Sequence, residues 1–432
     1  MNLIVYAVFL IYLWILFSKK ADFVFYIPIF HVVVDISFFY LGPASLATYY
    51  RGLILLIFFY FIIKNFKYVF PLKVVILVFL GFTGLLALQS TEILYSVKGY
   101  SQMFFSLLML PTGYILINTE KKLHKLSRQY IWLIILSVFI TSLGYIFNIG
   151  KVFNYGEDEQ KIGLLGSAGL YSGAVCIALL PILVNSLRRN WMRAVSYIAS
   201  ILLFIFILLN VRRTAIMIPF VGLIAFLFTT EKKLQYFSYV AATVIVLAIA
   251  SFWYGDTLRE RFAFREEAGR FAPDFYKTEG RYLEVVTLTA EVFSFNEPMA
   301  SLFGIGNNIF AEHISENKIV RRMHHTDFGR LLYGAGIAGV ILYLFFTVKL
   351  FFLADLNHKT RIVHIRRIKS MIFALALINL ALMVNGSLNL ITLKSVIFLY
   401  MGALLRIYHN NMVSYRIKLS KVGGTLSISQ AD

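Results

Sequence analysis

The chain has 432 residues, of which 59% are hydrophobic and 15% charged, and its formal net charge is +19. Soluble domains carry about a quarter charged residues, so this composition excludes an ordinary soluble domain and predicts a membrane protein. The basic residues stand in short groups between apolar runs and are not interleaved with aromatic residues on one surface, which argues against nucleic acid as a partner.

The apolar runs have the length of membrane-spanning helices, which need about 20 residues each. They are continuous, whereas the strands of a membrane barrel would alternate in segments of about 10 residues. The sequence therefore predicts an all-α polytopic membrane protein with twelve or thirteen spans, depending on whether one of the first three lies in the interface. The thirteen candidate spans cover residues 3–18, 23–42, 46–63, 69–89, 100–118, 129–148, 164–187, 194–210, 212–230, 235–253, 328–354, 368–386 and 388–408.

Groups of Lys and Arg alternate with pairs of these spans. Cytoplasmic loops collect basic residues, so the groups assign alternate loops to the inner face. The long polar segment 254–327 then lies on the outer face, inserted between two spans of a single transmembrane domain, 1–432. From Gly255 to Asp327 it carries nine Lys or Arg against twelve acids. Because it lacks the positive excess of inner loops, its charge agrees with this topology.

Basic residues at three places mark a candidate site on the outer face. Arg212 and Arg213 interrupt an apolar region, where two arginines in lipid would be costly, so they predict a tight turn between spans. Arg281 follows a glycine in the long segment, and His324 and His325 end it. We expect the turn, the segment and the two histidines to converge.

Each of these residues also has a plainer interpretation. A turn arginine can extend to the membrane interface, and Arg281 can pair with Glu284 on a helix surface, a contact that is worth little. The two histidines could bind a metal, but a His-His dipeptide is a poor tetrahedral ligand set and the single cysteine, Cys176, lies in a predicted span. We expect no metal and no cofactor.

Three further basic residues, Arg51, Lys98 and Lys161, are predicted on the outer face. Each can bind a sugar or a lipid headgroup, or anchor its segment at the interface. In the second span His31 and Asp35 share one helix face because they are four residues apart. Ionisable residues inside a membrane call for a functional hypothesis, with helix packing as the alternative.

Several motifs resemble the O-antigen polymerase and O-antigen ligase family. Arg-Arg-Thr-Ala at 212–215 is similar to the family's Ser-Arg-Thr-Ala turn, with Arg213 at the family's arginine. Gly-Arg at 280–281 and Phe-Gly-Ile-Gly at 303–306 resemble its loop Gly-Arg and the glycine turn that follows. His325, Gly336 and Gly339 reproduce its His-x-(nine)-Gly-x-x-Gly spacing. The chain departs from the family at Thr326, usually Asn, Ser or Gln, and at Arg212, usually Ser.

The resemblance implies a metal-independent glycosyltransferase of the GT-C type in the bacterial inner membrane. Such an enzyme transfers a glycan from undecaprenyl diphosphate to a hydroxyl on the periplasmic side. Polymerisation, with a lipid-linked repeat unit as acceptor, is favoured over ligation to lipid A core. Arg213 and Arg281 would hold the diphosphate, since arginine makes bidentate contacts and keeps its charge. His325 would be the base, with Arg212 and His324 as weaker candidates for substrate binding.

Two other classes remain open. A lipid-linked sugar transporter has no obvious use for a long outer segment, and the chain lacks the repeat symmetry typical of transporters. A cell-wall polymerase of the rod-shape and division class would use an aspartate in an outer loop, for which Asp256 and Asp274 are candidates. The arginine, Gly-Arg and histidine spacings favour the O-antigen family over both.

Overall fold

The protein is described here from a computed structural model of the whole chain. The described residues are 18–40, 44–65, 70–90, 93–147, 152–155, 158–161, 165–210, 213–229, 280–305, 312–314, 321–323, 326–354, 363–388 and 390–421, with isolated positions in 7–14 and 245–252.

The described chain is a bundle of helices with two short antiparallel hairpins. Three 3-10 turns, Lys20–Phe25, Val184–Ser186 and Met383–Asn385, adjoin the helices. The hairpins are β1 (Val152–Tyr155) with β2 (Asp158–Lys161), and β3 (Glu312–Ile314) with β4 (Arg321–Met323). The helices are α1 (Ile27–Tyr40), α2 (Ala44–Lys64), α3 (Lys73–Gln89), α4 (Ile93–Leu116), α5 (Glu120–Ile146), α6 (Gly166–Leu183), α7 (Asn190–Leu209), α8 (Arg213–Thr229), α9 (Gly280–Phe293), α10 (Pro298–Phe303), α11 (Asp327–Ala354), α12 (Val363–Leu382) and α13 (Ile391–Lys421).

Six of the described helices are long and apolar enough to cross a membrane, namely those in α5, α6, α7, α11, α12 and α13. Shorter apolar helices occur in α1, α3 and α8. The predicted all-α polytopic membrane class is therefore confirmed. The candidate spans 3–18 and 235–253 lie largely outside the described residues, so the number of twelve or thirteen stays a prediction.

Helices α4 and α13 approach so closely that their backbones touch. A Cβ atom added at Gly113 would lie 2.2 Å from the Leu399 carbonyl oxygen, and one added at Gly402 would lie 2.0 Å from that of Leu110. Small residues allow such approaches between helices in membranes, where dispersion contacts rather than hydrophobic burial drive association. The two glycines thus set the separation of α4 from α13, which is buried over most of its membrane span.

We expect Gly113→Ala and Gly402→Ala each to lower the free energy of unfolding by about 1–3 kcal/mol, the usual cost of forcing an extra carbon into a packed core. Thermal unfolding of the purified protein in detergent would measure the change. Gly81→Ala is the matched control, because a Cβ at Gly81 in α3 meets nothing within 4 Å. Equal stability of all three variants would contradict the packing argument.

Candidate active site

The start of α11 is capped by the residue that follows His325. The Gly329 amide donates to Thr326 Oγ1 at 2.9 Å, and the Arg330 amide donates to the Thr326 carbonyl oxygen at 3.0 Å. Threonine, serine and asparagine are all favoured N-caps, because their side-chain oxygen satisfies an amide of the first turn. The cap gives a physical reason for a threonine at position 326. It also shows that α11 begins two residues after His325.

Asp327, the first residue of α11, ties that helix to the turn between α12 and α13. Its side chain is fully buried. One carboxylate oxygen accepts from the Leu388 amide at 2.8 Å and the other from Ser387 Oγ at 2.9 Å. Gly386 enables this turn by taking a left-handed backbone conformation, with φ 60° and ψ 57°. We call the set Asp327, Ser387 and Leu388 the Asp327 joint.

The backbone of Arg213 lies at the same end of the bundle. It begins α8, which runs antiparallel to α12: Ser370 Oγ, near the start of α12, donates to the carbonyl oxygen of Thr229, the last residue of α8, at 3.4 Å. Further along, a Cβ at Gly222 would meet Ile378 Cδ1 at 3.5 Å. The start of α8 therefore adjoins the end of α12 and the turn that belongs to the Asp327 joint.

The outer segment docks on α11 through two helices. Arg281 is the second residue of α9, which packs against α11 and buries Leu288 and Val292. The short helix α10 follows and also packs on α11. Its Phe303 ring lies 6.2 Å, centroid to centroid, from that of Phe82 on α3. Helix α9 thus places the backbone of Arg281 against the bundle.

Two glycines from separate motifs touch each other where α10 meets α11. Gly336 interrupts α11 with φ 62° and ψ −164°, a conformation essentially restricted to glycine. A Cβ there would lie 2.4 Å from the Leu302 carbonyl and 2.6 Å from the Gly304 amide nitrogen. A Cβ at Gly304, whose φ is 104°, would lie 2.5 Å from the Gly334 carbonyl carbon. The glycine turn after α10 and the Gly-x-x-Gly that follows His325 are therefore two sides of one backbone contact.

The structure describes the remaining predicted site residues only in part. Arg212, His324 and His325 lie outside the described residues, as do Asp256 and Asp274, and nothing is described of the side chains of Arg213, Arg281 and Lys161. Lys161 ends β2, and Lys98 is exposed on α4. The roles assigned to all of them stay predictions.

Arg51 forms an ion pair with Asp35, which joins α2 to α1. The second carboxylate oxygen of Asp35 accepts from Thr392 Oγ1 in the first turn of α13. His31 is buried one turn away, with its ring 5.2 Å from that of Phe105, and its nitrogens have no hydrogen-bond partner among the described residues. Asp35 therefore has a structural partner, and a role of Arg51 in substrate binding would require that the guanidinium serve both.

A second buried polar group lies near the start of α13, and the sequence did not predict it. Lys394 Nζ donates to Asn379 Oδ1 at 2.7 Å, and Asn379 Nδ2 lies 3.5 Å from the Tyr343 hydroxyl. All three side chains are buried. In the sequence this group is indicated only by a lysine inside an apolar span, which is rare in membrane helices. The position of Lys394 within its own span does not show which other helices its side chain faces.

A cavity of about 190 Å³ lies at the opposite end of the bundle, where α4 ends and α5 begins. Asp22, Asn65 and Lys122 contribute to its lining, and Lys122 Nζ donates to the Leu116 carbonyl oxygen at 3.0 Å. The basic residues of this region belong to the predicted inner face. The cavity is thus remote from the candidate site. Among the described residues, no group of three His, Cys, Asp or Glu is arranged to hold a metal ion.

Comparisons with known proteins give little beyond the geometry. No family model and no curated protein matches the chain. Among solved structures, a chain described under "Structural coordination of polymerization and crosslinking by a peptidoglycan synthase complex" is similar, with 13% identity and a TM-score of 0.44. The match covers 80% of this chain and 98% of that chain. A likeness this distant carries no argument about activity, so the O-antigen family remains a resemblance based on motifs.

We expect Gly336→Ala to detach the outer segment from α11. A side chain at this backbone conformation costs about 1–3 kcal/mol, and the added carbon would also collide with the Leu302 carbonyl. The segment contains nine Lys or Arg between Gly255 and Asp327, so limited trypsin digestion should cleave it faster in the variant. Gly52→Ala serves as control, since a Cβ at Gly52 meets nothing within 4 Å. Identical digestion of Gly336→Ala and the control would refute the docking role.

Proposed function

We propose that this chain is a glycosyltransferase of the bacterial inner membrane that transfers a glycan from undecaprenyl diphosphate to a hydroxyl acceptor on the periplasmic side. We further propose that it polymerises O-antigen or a related exopolysaccharide, with a lipid-linked repeat unit as acceptor. One observation supports this above all: the glycine turn of the outer segment and the Gly-x-x-Gly after His325 touch at Gly304 and Gly336. Two of the motifs of the resemblance thus meet in one contact.

The proposed reaction assigns a role to each of three residues. The acceptor oxygen attacks the anomeric carbon of the donor sugar, and the bond from that carbon to the diphosphate oxygen breaks with its electron pair. The leaving diphosphate gains negative charge, which Arg213 and Arg281 stabilise through bidentate contacts. His325 takes the proton of the acceptor hydroxyl, because an imidazole is the side chain best suited to accept a proton near neutral pH.

The surroundings of these residues fit this chemistry. The helix that begins after His325 is capped by Thr326, and the backbone of Arg213 starts α8 at the same end of the bundle. Where apolar helices exclude water, a guanidinium acts on a phosphate more strongly than in bulk solvent. Two arginines from different segments can therefore balance a diphosphate without a metal ion.

We expect Arg213→Ala, Arg281→Ala and His325→Ala each to lower glycan transfer by about 10²–10³-fold, the usual loss when one donor or base is removed. The measurement is a gel profile of surface glycan from cells that lack the protein and are complemented with each variant. Arg189→Ala is the control, because Arg189 is exposed at the predicted inner end of α7. It should restore the wild-type profile.

The same gels separate polymerase from ligase. A polymerase restores a ladder where the deletion leaves one repeat unit on lipid A core. A ligase restores glycan on a core that the deletion leaves bare, with polymer accumulating on the lipid carrier. Full transfer by all three variants at normal expression would overturn the catalytic assignment and favour the transporter class.

A further inference from the structure

The Asp327 joint connects the segment that follows the proposed base, His325, with the end of the bundle where the proposed diphosphate-binding Arg213 lies. On one side, Asp327 lies two residues after His325 and starts α11. On the other side, Ser387 and Leu388 belong to the turn after α12, the helix whose end adjoins the start of α8 at Arg213. The joint is therefore the described link between the segment of the proposed base and the helix that begins with a diphosphate-binding arginine.

Asp327 is not arranged to bind substrate itself. Its side chain is fully buried, and both oxygens already accept hydrogen bonds, from the Leu388 amide and from Ser387 Oγ. A carboxylate would also repel the diphosphate that the proposed reaction releases. Its effect on transfer must therefore pass through the backbone that it holds.

A buried lysine lies just beyond the joint, in the first turn of α13. Lys394 Nζ donates to Asn379 Oδ1 at 2.7 Å, so this lysine is held by α12. The joint itself therefore acts through its two hydrogen bonds, which are directional, whereas apolar packing of the same helices is not.

We propose that Asp327 is a positioning residue for glycan transfer: by joining the start of α11 to the turn before α13, it sets the separation between the helix that begins two residues after His325 and the helix that begins at Arg213. This inference rests on the proposed function. Transfer needs the acceptor oxygen, the anomeric carbon and the leaving diphosphate in line, and a misplacement of about 1 Å can cost about 10²-fold in rate. Binding of the lipid diphosphate alone needs no such alignment.

The test compares transfer with binding in the full-length protein reconstituted in lipid nanodiscs. Transfer is followed with lipid-linked glycan extracted from cells that lack the protein, and binding with undecaprenyl diphosphate. The variants are Asp327→Ala, Asp327→Asn and Ser387→Ala. The matched control is Tyr400→Phe, which removes a buried hydrogen bond of 2.8 Å between Tyr400 on α13 and Ser127 on α5, away from the site.

We expect Asp327→Ala to lower kcat about 10²-fold while the KM for the donor stays within about twofold, the pattern of an interaction that matters only in the transition state. Undecaprenyl diphosphate should bind it as tightly as it binds the wild type, whereas Arg213→Ala should bind more weakly. Asp327→Asn keeps an oxygen for the Leu388 amide and should recover most of the lost rate. Ser387→Ala removes one of the two hydrogen bonds and keeps the one from the Leu388 amide, so its loss should be intermediate, about tenfold.

Three results would overturn this role: equal loss of kcat in Asp327→Ala and Tyr400→Phe, a loss of diphosphate binding in Asp327→Ala that matches Arg213→Ala, or no recovery in Asp327→Asn. If Asp327→Ala does not accumulate in the membrane, wild-type kcat in Ser387→Ala would overturn it. Failure of the proposed function has a different signature, because Arg213→Ala, Arg281→Ala and His325→Ala would then all retain transfer.

Discussion

The outer end of this protein depends on a backbone contact that only glycines permit. Gly304 and Gly336 both have positive φ, and a Cβ atom on either would lie 2.4–2.6 Å from the backbone of the other segment. Two main chains at this distance leave no room for a side chain to adjust. The contact therefore fixes the outer segment on α11 sharply, and α9, with Arg281 near its start, is held by the same docking.

Polar groups in the bundle concentrate near the start of α13. Thr392 bonds to Asp35, Lys394 bonds to Asn379, and Asp327 reaches the turn just before the helix. Each satisfies a group that would be expensive in an apolar core, which is the general condition for keeping it there. Because these bonds join α1 and α12 to α13, and α11 to the turn before it, the polarity that disfavours burial also determines how the helices are oriented.

The sequence predicted the helices well and their contacts poorly. Apolar runs of about 20 residues identify membrane helices by themselves. Four-residue spacing put His31 and Asp35 on one face, yet their partners, Phe105 for one and Arg51 with Thr392 for the other, lie on other helices that no local pattern specifies. Gly304 and Gly336 also lie in different segments, and no local pattern predicts that their backbones touch. Thr326 stands just before the predicted span 328–354 and is a favoured N-cap type, so its cap could be predicted from the sequence.

Rigid joints at this end are what a transfer between two lipid-linked chains would require. In the proposed reaction both the donor and the acceptor would be long and mobile, so the protein would have to supply nearly all of the alignment at the reacting atoms. A loop alone would position an arginine or a histidine loosely. Here the segments that carry them lead into helices whose ends are capped by Thr326, joined by Asp327 or fixed by glycine contact. Each device limits the motion of one backbone segment, and together they join the described helices of the outer segment to the helical frame.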